Sequence, residues 1–401
     1  MADVPAYPLY NRTYTLYRLS PLHHGAAPLL REQTRRLHAK RLKEQLKGDS
    51  VRGVQVDFTT AEEVAKLGPL EECAWDLIGD EDAWIDRHTQ AAHPDIAPAT
   101  PTTTTTTDRA RGIEINLAYE KQSYNALLLR DPDVTKSPDG FTSLPLLLVK
   151  MPGPIREIFL NYLRTTFDAH LAPLKLPSTF LTSSLETYLK NLSAATSTQT
   201  IRDVIRQLHV QLSFPSTTSL LKHIEVTIAG PDVSGFVTRG KLDKDKSGSP
   251  FTTALSTYLQ KHLALDLAHP KVQISRISCN SFSLGTDRLR LAAPDTLADT
   301  SFSDEGGASQ DASAGQLAVQ EFYASLVKAA TGTGRFLAED PINAQGDSTP
   351  SSTTSGNARR RKRTVSNAAT GNQMKKKAKS RGKENGVDNH GGRSRHDETP
   401  L

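Results

Sequence analysis

Few side chains in this sequence have the type and spacing to carry out a reaction. His23 and His24 are adjacent, but neighbours on an extended strand point to opposite faces, so the pair is a poor shared metal site. Cys73 and Cys279 are the only cysteines, too few for a thiolate zinc site or a disulfide framework. Neither has a cation or a histidine beside it in sequence to activate the thiol. Thr331-Gly332-Thr333-Gly334 follows a helical pattern and lacks the lysine of a phosphate cradle. No G-x-S-x-G elbow and no H-E-x-x-H helix occurs. The expectation is a protein without a catalytic set, a metal or a cofactor.

The chemistry on offer is electrostatic. Arg359, Arg360, Arg361, Lys362 and Arg363 form one basic cluster. Eleven residues later comes a second, Lys375, Lys376, Lys377, Lys379 and Arg381. Two short clusters in a polar segment match a bipartite nuclear-import signal, whose extended lysines and arginines lie in acidic grooves of a carrier. The plainer reading is a solubilising tail, and backbone contact with DNA is compatible as a second role. From Pro341 to Leu401 there are 13 Lys/Arg and 5 Asp/Glu, a balance of +8. The whole chain is +5, which leaves the body near −3.

A second basic group is helical. Between Pro28 and Lys47, Arg36, Lys40, Lys43 and Lys47 recur at three- and four-residue spacing and share one face. That face suits a phosphate backbone or an acidic partner. Alternatively it is a solvated face paired with residues 57–86, which hold 10 Asp/Glu, one Lys, Trp75 and Trp84.

The N-terminus lacks the apolar core of a secretory signal, and the longest apolar run, Leu144–Val149, is far short of the roughly 18–20 residues that cross a bilayer. A soluble intracellular protein is expected.

The positioning elements follow from periodicity. Strands with period-2 alternation are predicted at Leu9–Leu19, Val51–Phe58, Gly112–Tyr119, Tyr124–Arg130, Leu208–Phe214, Ile224–Gly230, Val272–Ser278 and Ser281–Leu291. The apolar run Leu144–Lys150 reads as a buried strand. Helices are predicted at Pro28–Lys47, Ile155–His170, Ser178–Leu192 with Ser178 as N-cap, Ile201–Gln207, Phe251–Leu265 and Gln316–Ala330. The acidic Trp-containing stretch reads as a short helical element, and the Pro/Thr-rich 93–108 as an insertion. The fold class is α+β: a large curved, mostly antiparallel sheet with helices on one face, plus a disordered basic tail. Three regions follow: 1–150 with the insertion at about 57–110, an α+β region 151–338, and the tail 339–401.

Three stretches carry a family resemblance: YPLYNRTYTLYRLSPLHH at the start, LLLVKMPGPIREIFLNYLRTTFDAHLAPLKLPSTFL over Leu146–Leu181, and VQISRISCNSFSLGTDRLRL over Val272–Leu291. Together they resemble the fungal CENP-L family of inner-kinetochore subunits. The resemblance implies a non-enzymatic scaffold in the nucleus, at the centromere. It would pair with a CENP-N-like subunit, touch other inner-kinetochore subunits, and reach the centromeric nucleosome or DNA only indirectly. No membrane and no small-molecule substrate is implied. The alternative is a nuclear DNA-binding chromatin or recombination factor with a curved basic surface.

If Ser281–Leu291 is the terminal strand, its open edge could pair with the partner, with Phe282, Leu284, Leu289 and Leu291 supplying apolar contacts; the alternative is an internal hairpin strand whose two edges are already filled. Ser20, Ser137, Thr349 and Thr399 each precede a proline and are candidate phosphorylation sites.

Overall fold

The computed structural model describes residues 6–47, 67–85, 107, 109–131, 137–193, 201, 205–215, 221–242, 249–293 and 314–332, to which every statement of structure refers. All fall within one compact unit, Met1–Glu339. The expected strand Val51–Phe58, the Pro/Thr insertion up to residue 106 and the basic tail lie outside the described residues.

The elements in chain order are β1 (Thr13–Leu19), β2 (Leu22–His23), α1 (Glu32–Lys47), β3 (Leu70–Ile78), β4 (Gly112–Tyr119), β5 (Ser123–Leu129), β6 (Phe141–Thr142) and β7 (Leu146–Lys150). There follow α2 (Gly153–Phe167), β8 (Leu171–Pro173), α3 (Ser178–Leu192), β9 (Gln207–Ser213), β10 (His223–Ala229), α4 (Gly230–Leu242) and α5 (Pro250–Leu263). The last are β11 (Gln273–Ser278), β12 (Phe282–Gly285), β13 (Arg288–Leu291) and α6 (Ala314–Thr331). One 11-stranded sheet runs β10-β9-β11-β12-β13-β1-β7-β5-β4-β3, with β8 also on β1. Every pairing between its strands is antiparallel. The sheet passes through residue 150, the boundary drawn between the first two regions.

β1 joins the halves. Its start pairs with β13 (Thr13↔Arg290), its middle with β7 (Leu16↔Leu148) and its end with β8 (Leu19↔Leu171). Alternation then sends Tyr14 and Leu16 into one core and Tyr17 and Leu19 into the other. The first core lies under α3, α4, α5 and α6; the second holds α1 and α2. Helices therefore cover a single face over β9–β13, whereas both faces are covered around β7 and β5. This double burial explains why Leu146–Val149 is apolar without alternation.

Buried polar groups hold the helices in register. The Glu186 carboxylate on α3 accepts the Thr252 N–H at 2.7 Å and the Phe251 N–H at 3.4 Å. It caps α5 from a neighbouring helix, where Ser249, the local N-cap residue, makes no side-chain bond. Gly240 lets α4 reach α5, since a Cβ there would stand 1.8 Å from the Pro250 carbonyl oxygen.

Four local expectations are corrected. The acidic Trp-containing stretch is not helical over Leu70–Ile78 but forms β3: Trp75 and Leu77 alternate into the core, while Glu71, Glu72 and Asp76 face water, as an edge strand permits. Among the described residues of that stretch, 81–85 form a short helix. Ser178 is the first helical residue rather than the cap; its Oγ accepts the Ile274 N–H at 3.1 Å and ties α3 to β11. Gln207, placed in a helix from sequence, already begins β9. Finally, α4 was not expected, because Gly230-Pro231 and Gly235 mask its short apolar pattern.

α1 is fastened by an aromatic cluster. His38 is 7% exposed, its Nδ1 lies 2.8 Å from the Tyr162 hydroxyl, and its ring packs on Phe167 of α2 (4.7 Å) and Trp75 of β3 (5.8 Å). Burial, helped by the positive fields of Arg41 and His24, lowers the His38 pKa from 6.5 to about 4. Above pH 6.5 the ring is neutral whether the chain is folded or not. Between pH 6.5 and 4 the unfolded chain takes up a proton that the folded chain refuses, so stability falls as the pH falls. The limit is about 1.4 kcal/mol per pH unit, or roughly 2–3 kcal/mol across the window. Denaturation of wild type and His38→Gln over pH 4–7 should show the loss in wild type and a flatter profile in the variant. Parallel profiles would mean that His38 protonates freely in the fold.

Candidate functional site

The basic helix lies along one end of the sheet. Arg36, Lys40 and Lys47 are exposed and Lys43 is half-buried. Among the described residues β3 is a terminal strand, paired only with β4, and basic side chains of α1 reach its main chain. Arg35 Nη1 donates to the Trp75 carbonyl at 2.8 Å and stands 4.0 Å from Asp76; Lys43 Nζ donates to the Glu71 carbonyl. Arg36 pairs with Glu32 one turn back. A cleft between helix and strand is lined by Arg36, Lys40 and Lys43 on one side and Glu72 and Asp76 on the other. Much of the face that sequence offered to DNA or an acidic partner is thus turned toward the acidic strand, and it shields the sheet edge.

The proposed partner strand is placed differently. Ser281–Leu291 is a hairpin, β12 and β13, turned at Gly285–Asp287, and both of its sides are occupied, by β11 and by β1. Phe282, Leu284, Leu289 and Leu291 are between 0% and 6% exposed. Phe282 packs between Tyr188 of α3 (5.0 Å) and Phe322 of α6 (5.8 Å). No edge is open there for a partner's strand, and these four side chains belong to the core.

The other end of the sheet has no further described strand. β10 pairs only with β9 among the described residues, over seven rungs from His223↔Ser213 to Ala229↔Gln207. Its outer edge carries no proline and alternates half-buried Ile224 and Val226 with exposed Glu225 and Thr227. Large apolar side chains exposed in this half of the chain are Leu221, two residues before β10, at 52%, Leu242 at the end of α4 at 77%, and Tyr258 and Leu263 on α5 at 43% and 49%. The signal was present in sequence as the HIEVTIA alternation, but which strand is terminal depends on long-range order that alternation does not encode.

The sheet face opposite α3 and α5 is polar at the hairpin, and no described helix covers it there. Arg276, Arg288 and Arg290 are exposed on it. Arg276 Nε donates to Ser283 Oγ at 3.2 Å, and Ser283 lies opposite Arg290. At the β10 end His209 Nδ1 lies 3.2 Å from Glu225.

Neither cysteine is poised to react. Burial raises the Cys73 thiol to about 12 and pushes the Cys279 thiol up as well. No group of three or more metal-ligating side chains occurs among the described residues, and no described helix is long and apolar enough to cross a membrane. The import clusters Arg359–Arg363 and Lys375–Arg381 lie outside the described residues.

No curated protein matches the chain. The sequence profile of centromere protein L matches residues 8–331, from just before β1 to the end of α6. That span covers all the described strands and more than half of the chain, so it takes in the fold as a whole rather than one motif. The chain belongs to the CENP-L family, a nuclear, centromere-bound structural family of the kinetochore.

Proposed function

We propose that this protein is a non-enzymatic inner-kinetochore scaffold that pairs with a CENP-N-like subunit through the β10 edge and supports chromosome segregation. Other inner-kinetochore subunits attach to the pair, and the centromeric nucleosome is reached through it. The observation that carries this reading is the asymmetry of the sheet: α1 shields the β3 end, while among the described residues β10 pairs only with β9, and Leu221 just before it and Leu242 at the end of the helix that follows it are exposed. Strand addition there would give main-chain affinity, with the apolar side chains setting specificity. The paired substitutions Val226→Lys and Leu242→Glu should lower co-purification of the CENP-N-like subunit at least tenfold while the far-ultraviolet circular dichroism stays that of wild type. Wild-type association would move the interface away from β10.

The basic tail is assigned to nuclear import. Replacing Arg359–Arg363 and Lys375–Lys377 by neutral residues should shift a tagged protein from nucleus to cytoplasm and leave its melting temperature unchanged. Retained nuclear accumulation would mean that entry depends on a bound partner instead.

A second reading, direct contact with DNA, is favoured by Arg276, Arg288 and Arg290 on the uncovered sheet face. Each phosphate neutralised adds about −0.9 to the slope of log affinity against log salt. For direct binding, Arg288→Ala with Arg290→Ala should make the slope shallower by roughly 2 for the isolated chain on duplex DNA. An unchanged slope would leave this face outside any DNA contact.

A further inference from the structure

Six serines or threonines precede a proline, and the fold treats those it describes in three ways. Thr100, Thr349 and Thr399 lie outside the described residues. Ser20 is half-buried in the joint between β1 and β2; its Oγ accepts the His170 N–H at 2.9 Å while its own N–H donates to the His170 carbonyl at 3.0 Å. A phosphate on that half-buried hydroxyl would displace the His170 N–H that ties the end of β1 to the start of β8. Ser249 is half-buried at the start of α5, where the Glu186 carboxylate already takes the Phe251 and Thr252 N–H groups. A phosphate there would stand against a buried carboxylate at the one helix terminus that the carboxylate caps.

Ser137 is different. It is exposed, and so are Pro138 and Asp139 after it. Pro138 opens a tight turn closed by the Phe141 N–H donating to the Pro138 carbonyl at 3.0 Å, with Gly140 at φ +77° where a side chain would strain the backbone. The turn is held from the other side by the N–H groups of His24 and Gly25, which donate to the Gly140 carbonyl at 2.9 and 3.2 Å. The dipeptide is therefore presented on a fixed turn at the β2–β6 ribbon. Ser137 Oγ accepts the Ser143 N–H at 3.0 Å, a bond that uses an oxygen lone pair and leaves the O–H free to react.

We propose that Ser137 is the phosphoacceptor of the folded body for a proline-directed protein kinase. In the transfer, Ser137 Oγ attacks the γ-phosphorus of ATP and forms the ester bond. The bond to the ADP leaving group breaks, and the hydroxyl proton passes to the kinase's base. The product carries about −1.5 to −2 of charge on the ribbon, and its phosphoryl oxygens can take over the Ser143 N–H. The modification marks the surface without opening the core, and it sits far along the chain from the β10 edge.

The test uses the full-length protein with Mg-ATP and a purified proline-directed kinase, reading each site by mass spectrometry. Ser137 should be modified in the native chain within a fewfold of the rate of a synthetic 131–143 peptide. Ser20 and Ser249 should be at least tenfold slower in the native chain than in their own peptides. Pro138→Ala, which keeps the carbonyl that closes the turn, should abolish labelling at Ser137 with the circular dichroism unchanged. The proposal is overturned if Ser137 stays unlabelled in the native chain, whether or not its peptide is a substrate. It also fails if Pro138→Ala is labelled as fast as wild type, or if Ser20 or Ser249 is labelled faster than Ser137.

Discussion

The hydrogen-bonded placement of β1 is the constraint on which the remaining structure depends. A seven-residue strand near the N-terminus lies between β13, about 270 residues later in the chain, and β7. Until it is seated, the β3–β7 and β9–β13 portions are separate sheets, each with an open edge. Its two faces feed two cores, so Tyr14, Leu16, Tyr17 and Leu19 are all buried. Tyr14 also carries the central polar contact: its hydroxyl accepts from Asn125 Nδ2 at 2.8 Å and donates to the Pro8 carbonyl. Leaving either partner of such a buried bond unpaired costs about 1–3 kcal/mol, a large part of a domain's ~5–15 kcal/mol. The same contact pins the entry into β1, since Pro8 precedes the strand and Asn125 lies on β5, beyond β7.

Once β1 closes the gap, the two terminal strands have one neighbour each among the described residues, and the sequence treats them differently. Beside β3 it places arginines and lysines on α1 whose side chains reach strand carbonyls, and acidic residues on the strand itself. Beside β10 the structure shows no hydrogen bond from a cation to the strand among the described residues; α4 leaves the strand directly, and its last residue, Leu242, is the most exposed large apolar side chain among those described. Unpaired main-chain groups beside exposed leucines are costly to leave in water and invite aggregation unless they are covered. Selection against such an edge would be easy, because one lysine or proline suffices. An edge strand without proline is what a strand-pairing role would require.

Much of the fold was legible because periodicity is local. Ser178–Leu192 was read with its true ends, and the alternation at Gly112–Tyr119 and the apolar face of Ile155–Phe167 needed no tertiary information. The failures share one cause, which is that they turned on who sits next to whom. Leu70–Ile78 looked helical because glutamates and aspartates disfavour strands in isolation, yet on an edge those positions point to water. Phe282 and Leu284 looked available because a sequence does not show that α3 and α6 converge on them. The basic helix reads from sequence as one face with the acidic 57–86 stretch as one of its possible partners; that this neighbour is a terminal strand is visible only in the structure.

That distinction bears on how a scaffold differs from an enzyme in what its sequence reveals. A catalytic site needs particular side chains at particular spacings, and these leave a local signature. A pairing edge needs only main-chain groups, which every residue has, together with the absence of anything that blocks them. The functional surface is therefore defined by what the fold leaves uncovered. In this chain α1 and the hairpin β12–β13 carry the conspicuous residues, and both are spent on closing the structure. β10, with no distinctive residue at all, is the strand that the proposed pairing would extend into another protein.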